Sequence, residues 1–165
     1  MSIWQAMLDR GKKRADSERG PVTIIWMDKI VQTADVFQVP RRGTIRLECI
    51  HNSASIRQGF DIKMKGGCVL ANGEVVPLLR TWCDERYESV VEYDYRADDS
   101  VISTWNVYET WRGSELITEK WTGNAGFWVE AVGTLDRIYH CSAGPLSVPN
   151  FEFLVYRVTV AAIAD

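Results

Sequence analysis

Between Arg86 and Ala131, apolar and polar side chains alternate with the two-residue period of half-buried strands. Three short breaks, Ala97 to Ser100, Arg112 to Ser114 and Gly123 to Gly126, divide this stretch into four predicted antiparallel strands. One phase of the alternation carries Val91, Tyr93, Tyr95, Ile102, Tyr108, Leu116, Phe127 and Val129, which reads as a core face. The other carries Trp105, Trp121 and Trp128 among Glu88, Glu92, Asp94, Glu109, Glu119 and Glu130. If each turn closes on its flanking residues, Glu92 faces Trp105, Trp105 faces Trp121, and Trp121 faces Trp128. The three indoles then form a ladder on a polar face. The side-chain period is 2, so a slip of one residue in any hairpin exchanges that strand's faces.

The same pattern extends over the rest of the chain. Ser2 to about Arg14 predicts a short helix, because Ile3, Trp4, Met7 and Leu8 share one side, and Gly20-Pro21 ends it. Strand patterns follow at Val22 to Met27, Val36 to Val39, Thr44 to Ile50 and, after a polar loop, Gly59 to Lys65. Gly66-Gly67 breaks the last of these. Cys68 to Leu70 then pairs with Glu74 to Val76 across Asn72-Gly73, two residues that tolerate positive φ. Pro77 marks an edge strand or a bulge. Leu135 to Cys141 and Phe151 to Val160 complete the set.

About ten short strands with closely spaced turns and almost no helix predict an all-β fold. We expect an antiparallel β-sandwich, jelly-roll-like, with a closed β-barrel as the alternative. Residues 1–20 form a short helical segment and 21–165 a single sandwich domain.

Hydrophobic residues at 46% and charged residues at 25% exclude disordered and collagen-like classes. No apolar run approaches the roughly 20 residues of a membrane span, and Met1 to Arg19 lacks a signal-peptide core. A cytoplasmic chain without a membrane partner is expected. Cys49, Cys68, Cys83 and Cys141 contain no CxxC pair and read as interior thiols. The net charge of −3 is uneven: residues 1–80 hold 13 Lys and Arg against 8 Asp and Glu, and the remainder 6 against 14. An acidic second half makes nucleic acid a poor partner for the tryptophan face.

In the predicted register Glu119 meets Glu130, and facing like charges destabilise a sheet unless something offsets them. Arg41, Arg42, Arg46 or Arg80 from the basic half, a cation, a raised pKa or a hydroxyl-rich ligand would do so. Large aromatics on a polar face point to ligand binding. The expected function is therefore non-catalytic binding of a protein partner, or self-association, through Trp105, Trp121, Trp128, Glu92, Asp94, Glu119 and Glu130. A lectin-like module binding oligosaccharide is the alternative. A jelly-roll glycosidase using Glu92 with Glu119 or Glu130 is the third reading. His51 and His140 match no zinc spacing, and Asp98-Asp99 reads as a turn, so no metal or cofactor is expected.

Overall fold

The computed structural model describes residues 1–14, 21–53 and 55–163. Helix α1 (Ile3–Lys13) opens on Ser2, whose side chain accepts the Gln5 N–H at 3.0 Å, and carries Arg10, Lys12 and Lys13 in its last turn. Both ends thus suit the helix dipole and its unpaired backbone groups. The predicted stop at Gly20 lies outside the described residues. Ile3 is fully buried with Ile24 and Val31, so the helix covers one end of the sheet.

The described residues form twelve strands: β1 (Thr23–Trp26), β2 (Lys29–Gln32), β3 (Asp35–Gln38), β4 (Arg42–Asn52), β5 (Gln58–Val69), β6 (Val75–Trp82), β7 (Val90–Ala97), β8 (Val101–Arg112), β9 (Glu115–Glu119), β10 (Gly126–Gly133), β11 (Asp136–Ser142) and β12 (Leu154–Ala162). They pair in the order β1-β2-β10-β11-β12-β4-β7-β5-β8-β3, with β6 on β5 and β9 on β8. The path does not close into a barrel; the protein is an antiparallel β-sandwich with one short N-terminal helix.

β5 joins the two layers. Along one edge its first half pairs with β8, Gln58↔Tyr108 to Lys63↔Ser103, and its last residues pair with β7, Gly66↔Ala97 to Val69↔Asp94. The bend falls at Gly66 and Gly67, with φ of 100° and 142°. A Cβ would overlap the Arg96 carbonyl oxygen at the first and the Val76 carbonyl oxygen at the second. Only glycine lets three backbones approach at this corner. The glycine pair therefore turns the strand where the sequence pattern suggested it would stop.

Between the layers lie Ile45, Leu47, Phe60, Ile62, Ile102, Phe127, Leu154 and Val158. Phe60 of β5 stacks on Tyr156 of β12 at 4.0 Å, and the Thr104 and Tyr156 hydroxyls are 2.9 Å apart, so the contact between layers is both apolar and hydrogen-bonded. Of the predicted core face, Tyr95, Ile102, Tyr108 and Phe127 are buried, whereas Leu116 is exposed.

The predicted four-strand meander does not form. β5 lies between β7 and β8, so Glu92 faces Arg46 rather than Trp105. The β8–β9 turn is two residues long, with Gly113 at φ 64°, which puts Tyr108 rather than Val107 opposite Glu119. β10 pairs with β2 and β11 and not with β9, which removes the pairing of Trp121 with Trp128.

Cys49 and Cys83 form a disulfide with Cα atoms 5.7 Å apart, correcting the expectation of four thiols. The sequence pattern could not bring β4 and the end of β6 together, because their approach depends on the path of β5. Cys68 and Cys141 remain as buried thiols, and burial pushes the Cys68 thiol up to about 11. No described helix is long and apolar enough to cross a membrane.

Replacing Cys83 with Ser is expected to lower unfolding stability by about 2–4 kcal/mol, read by urea denaturation, since the bridge closes a loop across 34 positions. Thiol titration of the native protein should find Cys68 and Cys141 unreactive and release two thiols only on unfolding without reductant.

Candidate functional site

The outward face of β6–β5–β8 is built in rows fixed by the ladder. Trp82, Gly59 and Val107 form one row; Arg80, Asp61 and Trp105 form the next. The Asp61 carboxylate is fully buried, accepting from Arg80 Nε at 2.8 Å, Arg80 Nη2 at 2.9 Å and Trp105 Nε1 at 3.0 Å. A buried carboxylate with a bidentate arginine and an indole donor is satisfied, and the pairing raises the Arg80 pKa.

The array continues at both ends. Arg57 lies 4.1 Å over the Trp82 ring while donating to Asp84 at 3.2 Å and Glu109 at 3.1 Å. Burial opposes the Arg57 charge, yet its hydrogen bonds to Glu109 and Asp84 leave the pKa raised. Beyond Trp105, the Lys120 ammonium sits 4.6 Å from that ring and 4.3 Å from Trp121, and the two indoles meet edge to face at 5.5 Å. Trp121 reaches Trp105 because its own φ is 64°, which curls the chain back after β9. Cations and indoles thus alternate across the face.

Of the three tryptophans expected to share one face, Trp105 and Trp121 meet and Trp128 does not join them. Trp105 is buried under Lys120 and Trp121 rather than offered to a ligand. Trp128 lies on the other layer, stacked 4.0 Å from His140, with the Lys29 ammonium 4.4 Å from the centre of its ring. Both His140 ring nitrogens face carboxylates, Glu152 at 2.8 Å and Glu130 at 3.0 Å. Glu92 lies 3.9 Å from Arg46, and Asp94 is exposed opposite Thr44 and Val69. Glu119 accepts from Arg112 Nε at 2.7 Å. Arg46 is thus among the predicted neutralising arginines that reach a meander carboxylate, and Arg80 neutralises Asp61 instead.

This spacing bears on acid–base chemistry. Glu92 on β7 and Glu130 on β10 are separated by β11, β12 and β4. Three strands therefore stand between these two carboxylates along the ladder.

An accessible concavity lies elsewhere, at the end of the β8–β9 hairpin. A groove of about 500 Å³ is lined by Trp4, Thr110, Trp111, Arg112, Glu119, Thr122, Gly123 and Pro145. It continues past Trp111 and Pro145 to Ile56, Arg57, Glu109 and Leu116. α1 contributes Trp4 because its first turn is tied down: Ile3 N–H donates to Asn124 Oδ1 at 3.2 Å and Trp4 N–H to the Gly123 carbonyl at 2.9 Å. Trp111 is 67% exposed and Trp4 46%. The sequence pattern placed Trp4 on the apolar side of the helix but did not single out Trp111, which follows directly once the two-residue turn at Gly113 is allowed, since it then faces Leu116 across the hairpin. The Asp61–Arg80 pair was hidden by the bulge, which takes five steps along β5 against two along β6 between Lys63↔Leu78 and Cys68↔Val76.

No group of three or more metal-ligating side chains occurs among the described residues. No family model, curated protein or solved structure matches this chain.

Truncating Arg80 to Ala is expected to cost about 3–5 kcal/mol in denaturant unfolding, because it strands the buried Asp61 charge. Stability should also fall in acid. The carboxyls of Asp84, beside Arg86, and Asp136, beside Arg157, are held below their ordinary 3.8. Their contribution is present above that value and is lost as pH falls through the folded pKa values. Melting curves between about pH 5 and pH 2 should show the loss, and Asp136→Asn should flatten it.

Proposed function

We propose that this chain is a non-catalytic binding module that holds a protein partner in the groove at the β8–β9 end. The observation that carries this reading is the convergence of Trp4 and Trp111, both exposed, on one groove whose charged groups are already paired with each other. Exposed indoles beside Arg57 and Arg112 match the composition of interface hot spots, where Trp and Arg dominate. Ile56, Leu116 and Pro145 extend the apolar lining, and such side chains offer nothing to the hydroxyls of a sugar. Among the described residues that line the groove, the acids and bases are joined in the Arg112–Glu119 and Arg57–Glu109 pairs, which supports binding over catalysis.

An oligosaccharide is the second reading. Trp111 beside the Thr110 and Thr122 hydroxyls favours it, because the apolar face of a sugar ring stacks on an exposed indole.

The Cys49–Cys83 bridge weakens the expectation of a cytoplasmic chain. Disulfides persist in oxidising compartments, so we favour such surroundings for this protein.

Selection of peptides from a displayed random library, scored by calorimetry against Trp111→Ala, tests the reading. A ligand that loses roughly 30-fold or more in affinity supports it, since a hot-spot truncation costs about 2 kcal/mol or more. A glycan array giving saturable, Trp111-dependent binding with no peptide ligand would replace protein by sugar. Ligands indifferent to both Trp111→Ala and Trp4→Ala would remove the groove as the site.

A further inference from the structure

The groove does not stop at Arg57 and Glu109. Those two residues and Ile56 also line a further concavity of about 520 Å³, whose far wall is Asn52, Asp84, Glu85 and Arg86. Asn52, Asp84 and Glu85 in turn line another of about 240 Å³, bounded by Cys49, Cys83, Tyr87 and Glu88. Each of these concavities shares lining residues with the next and none with those beyond it, so they lie in series. Together they make one trough, with Trp4 at one extreme and the Cys49–Cys83 bridge at the other.

The two ends of the trough differ in charge. At the indole end Arg112 and Glu119 are paired with each other. In the middle Arg57 serves both Glu109 and Asp84, and Asp84 also holds Arg86. Glu85 and Glu88 are left at the far end, exposed and without an ion-pair partner among the described residues. The connection that carries them is fixed at both of its ends. Cys83 is bridged to Cys49 and its N–H donates to the Gln58 carbonyl at 2.8 Å, while the Cys49 N–H donates to the Ser89 carbonyl at 2.8 Å. Two uncompensated carboxylates thus stand on a wall that is already ordered, which lowers the entropy lost on binding.

We propose that the segment held in this trough is an extended stretch of polypeptide that sets an apolar or aromatic side chain against Trp4 and Trp111 and a Lys or Arg side chain against Glu85 and Glu88. This rests on the protein-binding reading of the groove and names the chemistry of its ligand. Small concavities in line take up side chains one after another from an extended chain, which projects them at regular intervals. The charge surplus at the far end favours a basic segment and repels an acidic one. A neutral sugar would leave both carboxylates without a counter-charge, and nucleic acid would meet them with phosphates of like sign.

A displayed random peptide library selected on the full chain, with the bound sequences then measured by calorimetry, tests this. The selected peptides should combine a large apolar residue with Lys or Arg and lose affinity with Trp111→Ala. Replacing Glu85→Gln and Glu88→Gln together should weaken them by about tenfold, with the melting temperature unchanged because neither carboxylate has a partner in the fold. Raising salt from about 50 to 500 mM should weaken binding to the native chain more than to the double variant. Peptides that need Trp111 but carry no basic residue and ignore the double variant would overturn this inference and leave the groove reading standing. Peptides that need the glutamates and ignore both Trp111→Ala and Trp4→Ala would overturn both, as would a library that yields no ligand.

Discussion

The arrangement of this protein depends on one strand belonging to two layers. β5 pairs with β8 before Gly66 and with β7 after it, and the turn between is available only to residues without a Cβ. Once that corner exists, β7 and β8 must part although only three residues separate them. Asp61 then comes to lie between Arg80 and Trp105, and the end of β6 comes within disulfide reach of β4.

The corner also decides which polar groups are left over. The outward faces of both layers are charged, yet their charges are matched across strands: Asp61 with Arg80, Asp136 with Arg157, Glu92 with Arg46 and Glu119 with Arg112. A face whose carboxylates already have cationic partners has little need of an external cation. Large apolar side chains reach solvent in the indoles of the β8–β9 groove and in the β1–β2 hairpin, among other places.

What the sequence by itself determined is local. Alternation of Phe60, Ile62 and Met64 with Asp61, Lys63 and Lys65 sets the two faces of β5, because a pleat has period 2 whatever its neighbours are. Asn72-Gly73 closes the β5–β6 connection, with Gly73 at φ 85°. Ser2 caps α1, and the strand-rich pattern yields an antiparallel sandwich. Pairing across distance was decided only by the tertiary structure. A turn of unknown length leaves the register open by one residue, and Gly113-Ser114 took the shorter form, moving Glu119 to the face of Tyr108. Nothing local announces that β5 will insert between two consecutive strands, or that Cys49 will find Cys83, because loop closure over tens of residues is governed by how the whole core packs. The three tryptophans were therefore legible as aromatic positions and not as a site, for a site is a set of distances between strands that only the assembled layers fix.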